Sequence, residues 1–97
     1  MVKMVVSPSE KSGKKFKAVF TKDNGRTKTT HFGARGMDDY TKTKDKEQRA
    51  RYRSRHQKDL RTNDYTKAGY LSYYLLWGNS TSLRENIKSY KKRFNLT

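Results

Sequence analysis

The bulky apolar side chains of this sequence are concentrated in one short segment, residues 70–77, which reads Tyr-Leu-Ser-Tyr-Tyr-Leu-Leu-Trp. Only 31% of the 97 residues are hydrophobic, against about 45–50% apolar residues in ordinary chains. A chain of this size buries only a modest core, so the fold must be built around that segment. Because its apolar residues lie nearly all round a helix, we predict a central, buried helix at residues 67–77. Thr66 or Asp64 is expected to cap it and Gly78 to end it.

A β-hairpin is predicted before this helix. Apolar and polar side chains alternate over residues 15–21, with Phe16 and Phe20 on one side, which is the period of a strand with one buried face. Asn24-Gly25 follows, and both residues tolerate the positive φ of a tight turn. The Thr-rich residues 26–32 favour a second strand because Thr is β-branched.

Residues 1–14 leave two alternatives open. Lys3–Val6 has the composition of a short strand, whereas the polar residues that follow are typical of a mobile basic arm. We assign residues 1–14 as a basic N-terminal arm and residues 15–97 as one small domain.

Two more helices are predicted on either side of the central one. Residues 45–61 begin with Asp45, a good N-cap, followed three residues later by Gln48. Residues 83–94 follow Ser82, which forms the capping-box pattern with Glu85. The predicted fold class is therefore α+β, with an N-terminal antiparallel β-hairpin or small sheet packed on about three α-helices.

Charge limits the partners of the chain. It has 24 Lys and Arg residues against 9 Asp and Glu, a formal net charge of +15, so it is attracted to polyanions. Nucleic acid is the commonest such partner, and anionic lipid or an acidic protein surface is an alternative. The chain has no Cys, no apolar stretch near the roughly 20 residues of a membrane span and no signal-peptide pattern at its start. We expect a soluble, intracellular protein.

The densest run of basic residues lies in the first of these helices. From Lys42 to Arg61 there are nine basic residues and three acidic ones, and guanidinium groups match phosphate geometry well. A solvated helix face is the alternative interpretation, and for the basic residues near the chain's end, complementing the helix dipole is at least as good an explanation. The candidate residues for nucleic-acid or polyanion binding are Arg49, Arg51, Arg53, Arg55, Lys58, Arg61, Lys91, Lys92 and Arg93.

Catalytic chemistry is not indicated. His31 and His56 are the only histidines, and without Cys they do not make a recognisable metal site. Asp38-Asp39 is explained by a helix start or by an ion pair with Arg35. The pair Gly33 and Gly36 lacks the third glycine of a dinucleotide fingerprint. We predict no enzyme activity, no cofactor and no metal.

Four blocks of the sequence form a recognisable series: residues 32–41 (FGARGMDDYT), 51–56 (RYRSRH), 68–78 (AGYLSYYLLWG) and 87–94 (IKSYKKRF). In this order they resemble a family of small basic uncharacterised proteins encoded by large nucleocytoplasmic double-stranded DNA viruses of eukaryotes. The resemblance spans about residues 15–96. It implies a viral origin, a place in the virion, presence inside the host cell during assembly, and no catalytic residues.

Two functions follow as alternatives. The first is a minor capsid or capsid-lining protein, which acts by binding acidic virion partners and needs apolar or aromatic surface outside its core. The second is a sequence-nonspecific DNA-binding or genome-condensing protein, which needs only charge. A helix-turn-helix variant of the second would present Arg84, Asn86 and Lys88 to DNA. From sequence, the virion structural protein is the preferred prediction.

Overall fold

The computed structural model describes all 97 residues, and its N-terminal third is a three-stranded antiparallel sheet. Strands β1 (Lys3–Pro8), β2 (Lys14–Thr21) and β3 (Thr27–Ala34) lie in the order β1-β2-β3. The predicted hairpin is confirmed as β2 and β3, with Phe16 opposite Phe32. Ala18 and Phe20 are buried on the side that faces the helices, as the alternating pattern predicts.

Of the two alternatives for residues 1–14, the structure has the strand. It extends to Pro8, and Met4 is fully buried opposite Phe20. The outer edge of β1 is partly covered, since Met4 N–H donates to Thr97 O at 3.0 Å and Thr97 N–H donates to Val2 O at 3.0 Å. Residues 3–8 therefore pack within the domain instead of extending from it as an arm.

The turn of the hairpin has one residue with positive φ, whereas the Asn24-Gly25 pair predicted two. Gly25 has φ +86°, and Asn24 is not among the residues with positive φ. Gly25 N–H donates to Lys22 O at 2.9 Å, and Lys22 N–H donates to Arg26 O at 2.8 Å. This is the pattern of a three-residue hairpin loop that ends in a left-handed glycine.

The helical layer follows the sheet. Its elements are α1 (Tyr40–Thr43), α2 (Lys46–His56), a 3₁₀ helix (Gln57–Thr62), α3 (Ala68–Leu71), a π-helical turn (Ser72–Leu76) and α4 (Leu83–Arg93). The α+β fold class is confirmed. The helix predicted at 45–61 is divided into α2 and the 3₁₀ helix, and the central helix predicted at 67–77 is α3 continued by the π-helical turn.

Side-chain capping is seen at two of the three predicted helix starts. Asp45 Oδ1 accepts hydrogen bonds from Glu47 N–H at 3.0 Å and Gln48 N–H at 3.1 Å. Ser82 Oγ accepts from Glu85 N–H at 3.3 Å. The central helix has no side-chain cap, so the cap predicted from Asp64 or Thr66 is wrong.

The core lies between the helix-facing side of the sheet and the central helix. Leu71 and Leu75 are fully buried and belong to one cluster with Phe20 and Phe32. The central helix approaches β3 closely at Gly33, where an added Cβ would lie 2.9 Å from Leu76 Cδ1. Gly33 also has φ +79°, so both space and backbone conformation favour glycine there.

The π-helical turn is closed by the hydrogen bond from Trp77 N–H to Ser72 O at 3.1 Å. It ends against Gly78, where an added Cβ would lie 2.2 Å from Tyr74 O. Gly78 does not have positive φ. Its role is therefore to let the chain pass close to the preceding turn.

Asn86 joins this turn to α4 from a buried position. Its Nδ2 donates to Leu75 O at 3.0 Å and to Ser80 O at 2.8 Å, and its Oδ1 accepts from Ser80 N–H at 3.0 Å. Only 3% of Asn86 is exposed. The helix-turn-helix interpretation, which needs Asn86 on the surface, is therefore wrong at this position.

Candidate nucleic-acid interface

The four arginines of α2 divide into two pairs that face opposite ways. Arg49 and Arg53, which lie one helical turn apart, face the end of the central helix. Arg49 Nη1 donates to Gly78 O and Asn79 O, both at 3.2 Å. Arg53 Nε donates to Trp77 O at 2.8 Å, and its Nη2 donates to Asn79 Oδ1 at 3.0 Å.

Arg49 and Arg53 donate hydrogen bonds to backbone carbonyl groups at the end of the central helix. The last carbonyls of a helix have no partner within the helix, and cations near them interact favourably with the helix dipole. Arg49 also lies over the Tyr40 ring, with its guanidinium carbon 4.4 Å from the ring centroid. Arg49 and Arg53 therefore hold α2 against the central helix, and they do not share a surface with the other predicted binding residues of α2.

The other pair, Arg51 and Arg55, is exposed, and with Lys58 and Arg61 it forms what we call the helical cation row. Residues 51, 55 and 58 recur at helical spacing. The 3₁₀ helix then continues the alignment, because residues three apart eclipse each other in that geometry. None of the four cations lies within 4.0 Å of a carboxylate.

A shallow surface depression lies along this row and has no acidic residue in its wall. It is lined by Ser54, Arg55, Gln57, Lys58, Leu60 and Arg61. Asp59, the one acid in this stretch, turns away from it, and Asp59 Oδ2 lies 3.1 Å from His56 Nδ1. The positive charge of the row is therefore open to solvent along its length.

The basic end of α4 is less uniform than the sequence suggests. Lys92 is exposed and lies in line with Lys88 and Arg84 at a spacing of four residues. Lys91 is half-buried. Arg93 lies over the Tyr74 ring, 4.7 Å from its centroid. Arg93 is exposed like Lys92, but its guanidinium is directed over that ring, whereas Arg84, Lys88 and Lys92 form a second exposed row.

The ion pairs of lysine lie in the sheet. Lys15 Nζ is 2.7 Å from Asp39 Oδ2, which is 3% exposed, and Lys17 Nζ is 2.9 Å from Glu10 Oε2. Asp39 also caps α1 by accepting from Thr41 N–H at 2.9 Å. The predicted helix start at Asp39 is confirmed, but its ion-pair partner is Lys15 and not Arg35. No arginine pairs with a carboxylate, so the guanidinium charge of the helical layer is not neutralised.

Aromatic rings are used inside the molecule. Tyr52 of α2 stacks on Trp77, with ring centroids 4.4 Å apart, and on His56 at 4.1 Å. Tyr70 donates its hydroxyl proton to Leu60 O at 2.6 Å. Tyr70 and Trp77 are both buried in the core, as expected for the central helix.

One family model matches this chain over residues 4–56, under the description "Family of unknown function (DUF5754)". The chain belongs to the DUF5754 family. The match covers the sheet except for Lys3, the first residue of β1, together with α1 and α2. Within it lie Arg51 and Arg55 of the helical cation row, whereas Lys58 and Arg61 follow the matched residues.

No curated protein and no solved structure matches this DUF5754 member. None of its helices has the length and apolar character that crossing a membrane requires. No three His, Cys, Asp or Glu side chains are grouped in the way a metal ion requires.

Proposed function

We propose that this protein binds nucleic acid through its phosphates, with duplex DNA as the main partner and without sequence preference. The observation that carries the proposal is the helical cation row, Arg51, Arg55, Lys58 and Arg61, which is exposed and has no carboxylate within 4.0 Å. An unneutralised row of this kind is the usual electrostatic basis of nonspecific binding to nucleic acid.

The length of the row suits a phosphate backbone. Residues 51–61 span at most about 18 Å, given the rise of an α-helix followed by a 3₁₀ helix. One DNA strand places about five phosphates along that length of duplex. The four cations can therefore each face a phosphate of one strand, and Arg forks can contact two phosphate oxygens at once.

The surface of the protein gives less support to the alternative role, that of a minor capsid or capsid-lining protein. A dry interface needs exposed apolar area, and the large hydrophobic residues that are exposed are Met1, Val5 and Met37. The virion location and viral origin implied by the sequence resemblance stay predictions, as does the absence of enzyme activity. A protein that lines a capsid can also contact packaged DNA, so the two roles are compatible.

The salt dependence of binding tests the proposal. Affinity for a fluorescent random-sequence duplex is measured by anisotropy between about 50 and about 200 mM salt. A variant with all four row residues changed to Gln is compared with a control that removes the same charge from α4, in which Arg84, Lys88, Lys91 and Lys92 become Gln. Replacing the row should reduce the slope of log K against log salt by about 3.6, because each lost phosphate contact removes about 0.9.

The control variant should keep most of the wild-type slope. Equal losses in the two variants would mean that DNA senses only the net charge, and the row would not be the binding site. Heparin serves as a competitor of similar charge density. If heparin binds as tightly as DNA at every salt concentration, the protein is a general polyanion binder, and its acidic protein neighbours become the better candidates.

A further inference from the structure

A second positively charged site lies away from the helical cation row, in a cleft between α2, the π-helical turn and α4. The cleft has a volume of 220 Å³. Arg53 lies on its α2 side and Arg93 on its α4 side, while Tyr73 and Tyr74 lie between them. Ser89 completes the α4 side, and no acidic residue lines the cleft.

Both guanidinium groups keep hydrogen-bond donors that the protein does not use. Arg53 employs Nε and one N–H of Nη2 in its contacts with Trp77 and Asn79, so part of its fork stays free. The Arg93 guanidinium donates no hydrogen bond to the protein and lies over the face of the Tyr74 ring, 4.7 Å from its centroid. Arg53 is held in a similar way near Tyr73, at 5.7 Å. Aromatic faces thus orient both forks without neutralising them.

The charge on Arg53 is only partly solvated and has no counter-ion. Burial lowers the pKa of Arg53 from its ordinary value, and the neighbouring charge of Arg49 lowers it further. Arg49 has no carboxylate partner either. A buried or half-buried charge without a partner is costly, so an anion in the cleft would remove an unfavourable electrostatic interaction that the protein alone leaves in place.

We propose that this cleft binds a phosphate group held between Arg53 and Arg93. Its volume is below the roughly 300–1,000 Å³ of pockets that enclose a whole small molecule, so it suits one small anionic group. A carboxylate offers two oxygens in a plane and satisfies a single fork. A phosphate offers oxygens in several directions, so two forks on opposite sides can bind it together with the Ser89 hydroxyl. The proposal stands on the cleft alone and does not require the helical cation row to bind DNA.

The test uses inorganic phosphate as the probe and follows backbone amide signals of the full chain by NMR at constant ionic strength set with chloride. Phosphate should give saturable shifts at residues 78–80 and 89–93, which chloride does not give. Arg93→Gln should weaken phosphate binding about tenfold or more, since it removes charge-assisted hydrogen bonds. Lys92→Gln is the matched control, because it removes the same charge from the neighbouring exposed position.

Arg93 is chosen over Arg53 because it makes no hydrogen bond that stabilises the fold. Arg93→Lys keeps the charge but loses the fork, so it should restore only part of the affinity. Equal shifts with chloride and phosphate, or equal losses in the Lys92→Gln and Arg93→Gln variants, would overturn the proposal.

Two sources can supply the phosphate, and oligonucleotides distinguish them. A short duplex with a 5′-phosphate is compared with the same duplex without it. Tighter binding of the phosphorylated duplex, abolished by Arg93→Gln, assigns the cleft to phosphate monoesters such as strand ends. Equal binding of the two duplexes, weakened in both by Arg93→Gln, assigns it to backbone diesters. If Arg93→Gln leaves the affinity for both duplexes and for inorganic phosphate unchanged, the cleft is not a phosphate site, whatever the helical cation row binds.

Discussion

The opposite orientation of neighbouring arginines on α2 leads to a sharp prediction, that Arg53→Gln destabilises the protein while Arg51→Gln does not. Arg53 donates to Trp77 O at 2.8 Å and to Asn79 Oδ1 at 3.0 Å, and hydrogen bonds that involve a charged group each contribute about 1.5–3 kcal/mol. Because the site is only half-buried, water replaces part of what is lost, and we expect a total loss of about 2–3 kcal/mol. In a domain of this size that lowers the melting temperature by roughly 10–20 °C.

Arg51 offers a matched control on the same helix. It is exposed, and Gln is nearly as good a helix former as Arg, so Arg51→Gln should change the free energy of unfolding by less than about 0.5 kcal/mol. Both variants remove one positive charge, so the relief of overall repulsion cancels between them. Thermal unfolding followed by circular dichroism measures the difference. Melting temperatures within about 3 °C of each other would show that Arg53 does not hold α2 against the central helix, and would refute the division of the arginines.

Two further predictions concern the packing of the core and the pH dependence of folding stability. Gly78→Ala should lower the free energy of unfolding by more than about 4 kcal/mol or prevent folding, because the new Cβ would lie 2.2 Å from Tyr74 O. Gly36 has φ +85° but open space around it, so Gly36→Ala should lower that free energy by only about 1 kcal/mol in denaturant unfolding. Similar losses for the two variants would contradict the steric argument. Burial raises the pKa of Tyr90 well above its ordinary value, with Tyr70 adding to the effect. The folded state therefore keeps the phenol proton after the unfolded chain has released it, so the stability is complete below about pH 10 and falls as the pH rises above it. Urea midpoints at increasing pH should fall less steeply for Tyr90→Phe than for the wild type, and parallel curves would exclude Tyr90 as a cause.

The parts of the fold that the sequence predicts are those controlled by neighbouring residues. Alternation over residues 15–21 predicts the hairpin, and Asp45 and Ser82 predict helix starts, because strand period and capping act within a few residues. The π-helical turn at Ser72–Leu76 was not predicted, since it depends on how the chain packs against α4. Strand β1 stayed one of two alternatives, because the polar residues after Val6 are also typical of an arm. Its place depends on pairing with β2 and on the contact of Met4 with Thr97 at the other end of the sequence.

The candidate site also has one part that the sequence predicts and one part that depends on distant contacts. The spacing of Arg51, Arg55 and Lys58 predicts a common face, and the structure places them on one. The direction of Arg49 and Arg53 depends on where the carbonyls of residues 77–79 lie, almost one third of the chain away. Nothing in the local pattern of α2 tells inward from outward arginines, because helix position is visible in sequence and the partner of each face is not.

The order in which the chain is made bears on how this fold forms. The sheet comes first, but its apolar side is covered by residues made later, among them Tyr65, which packs on Phe20, and the central helix. Met4 also pairs with Thr97. During translation the strands therefore leave the ribosome with their apolar face exposed to solvent, and such intermediates are prone to aggregate. A net charge of +15 makes unfinished chains repel one another. The same lysines and arginines that suit a polyanionic partner thus also keep nascent chains apart until the last helix docks.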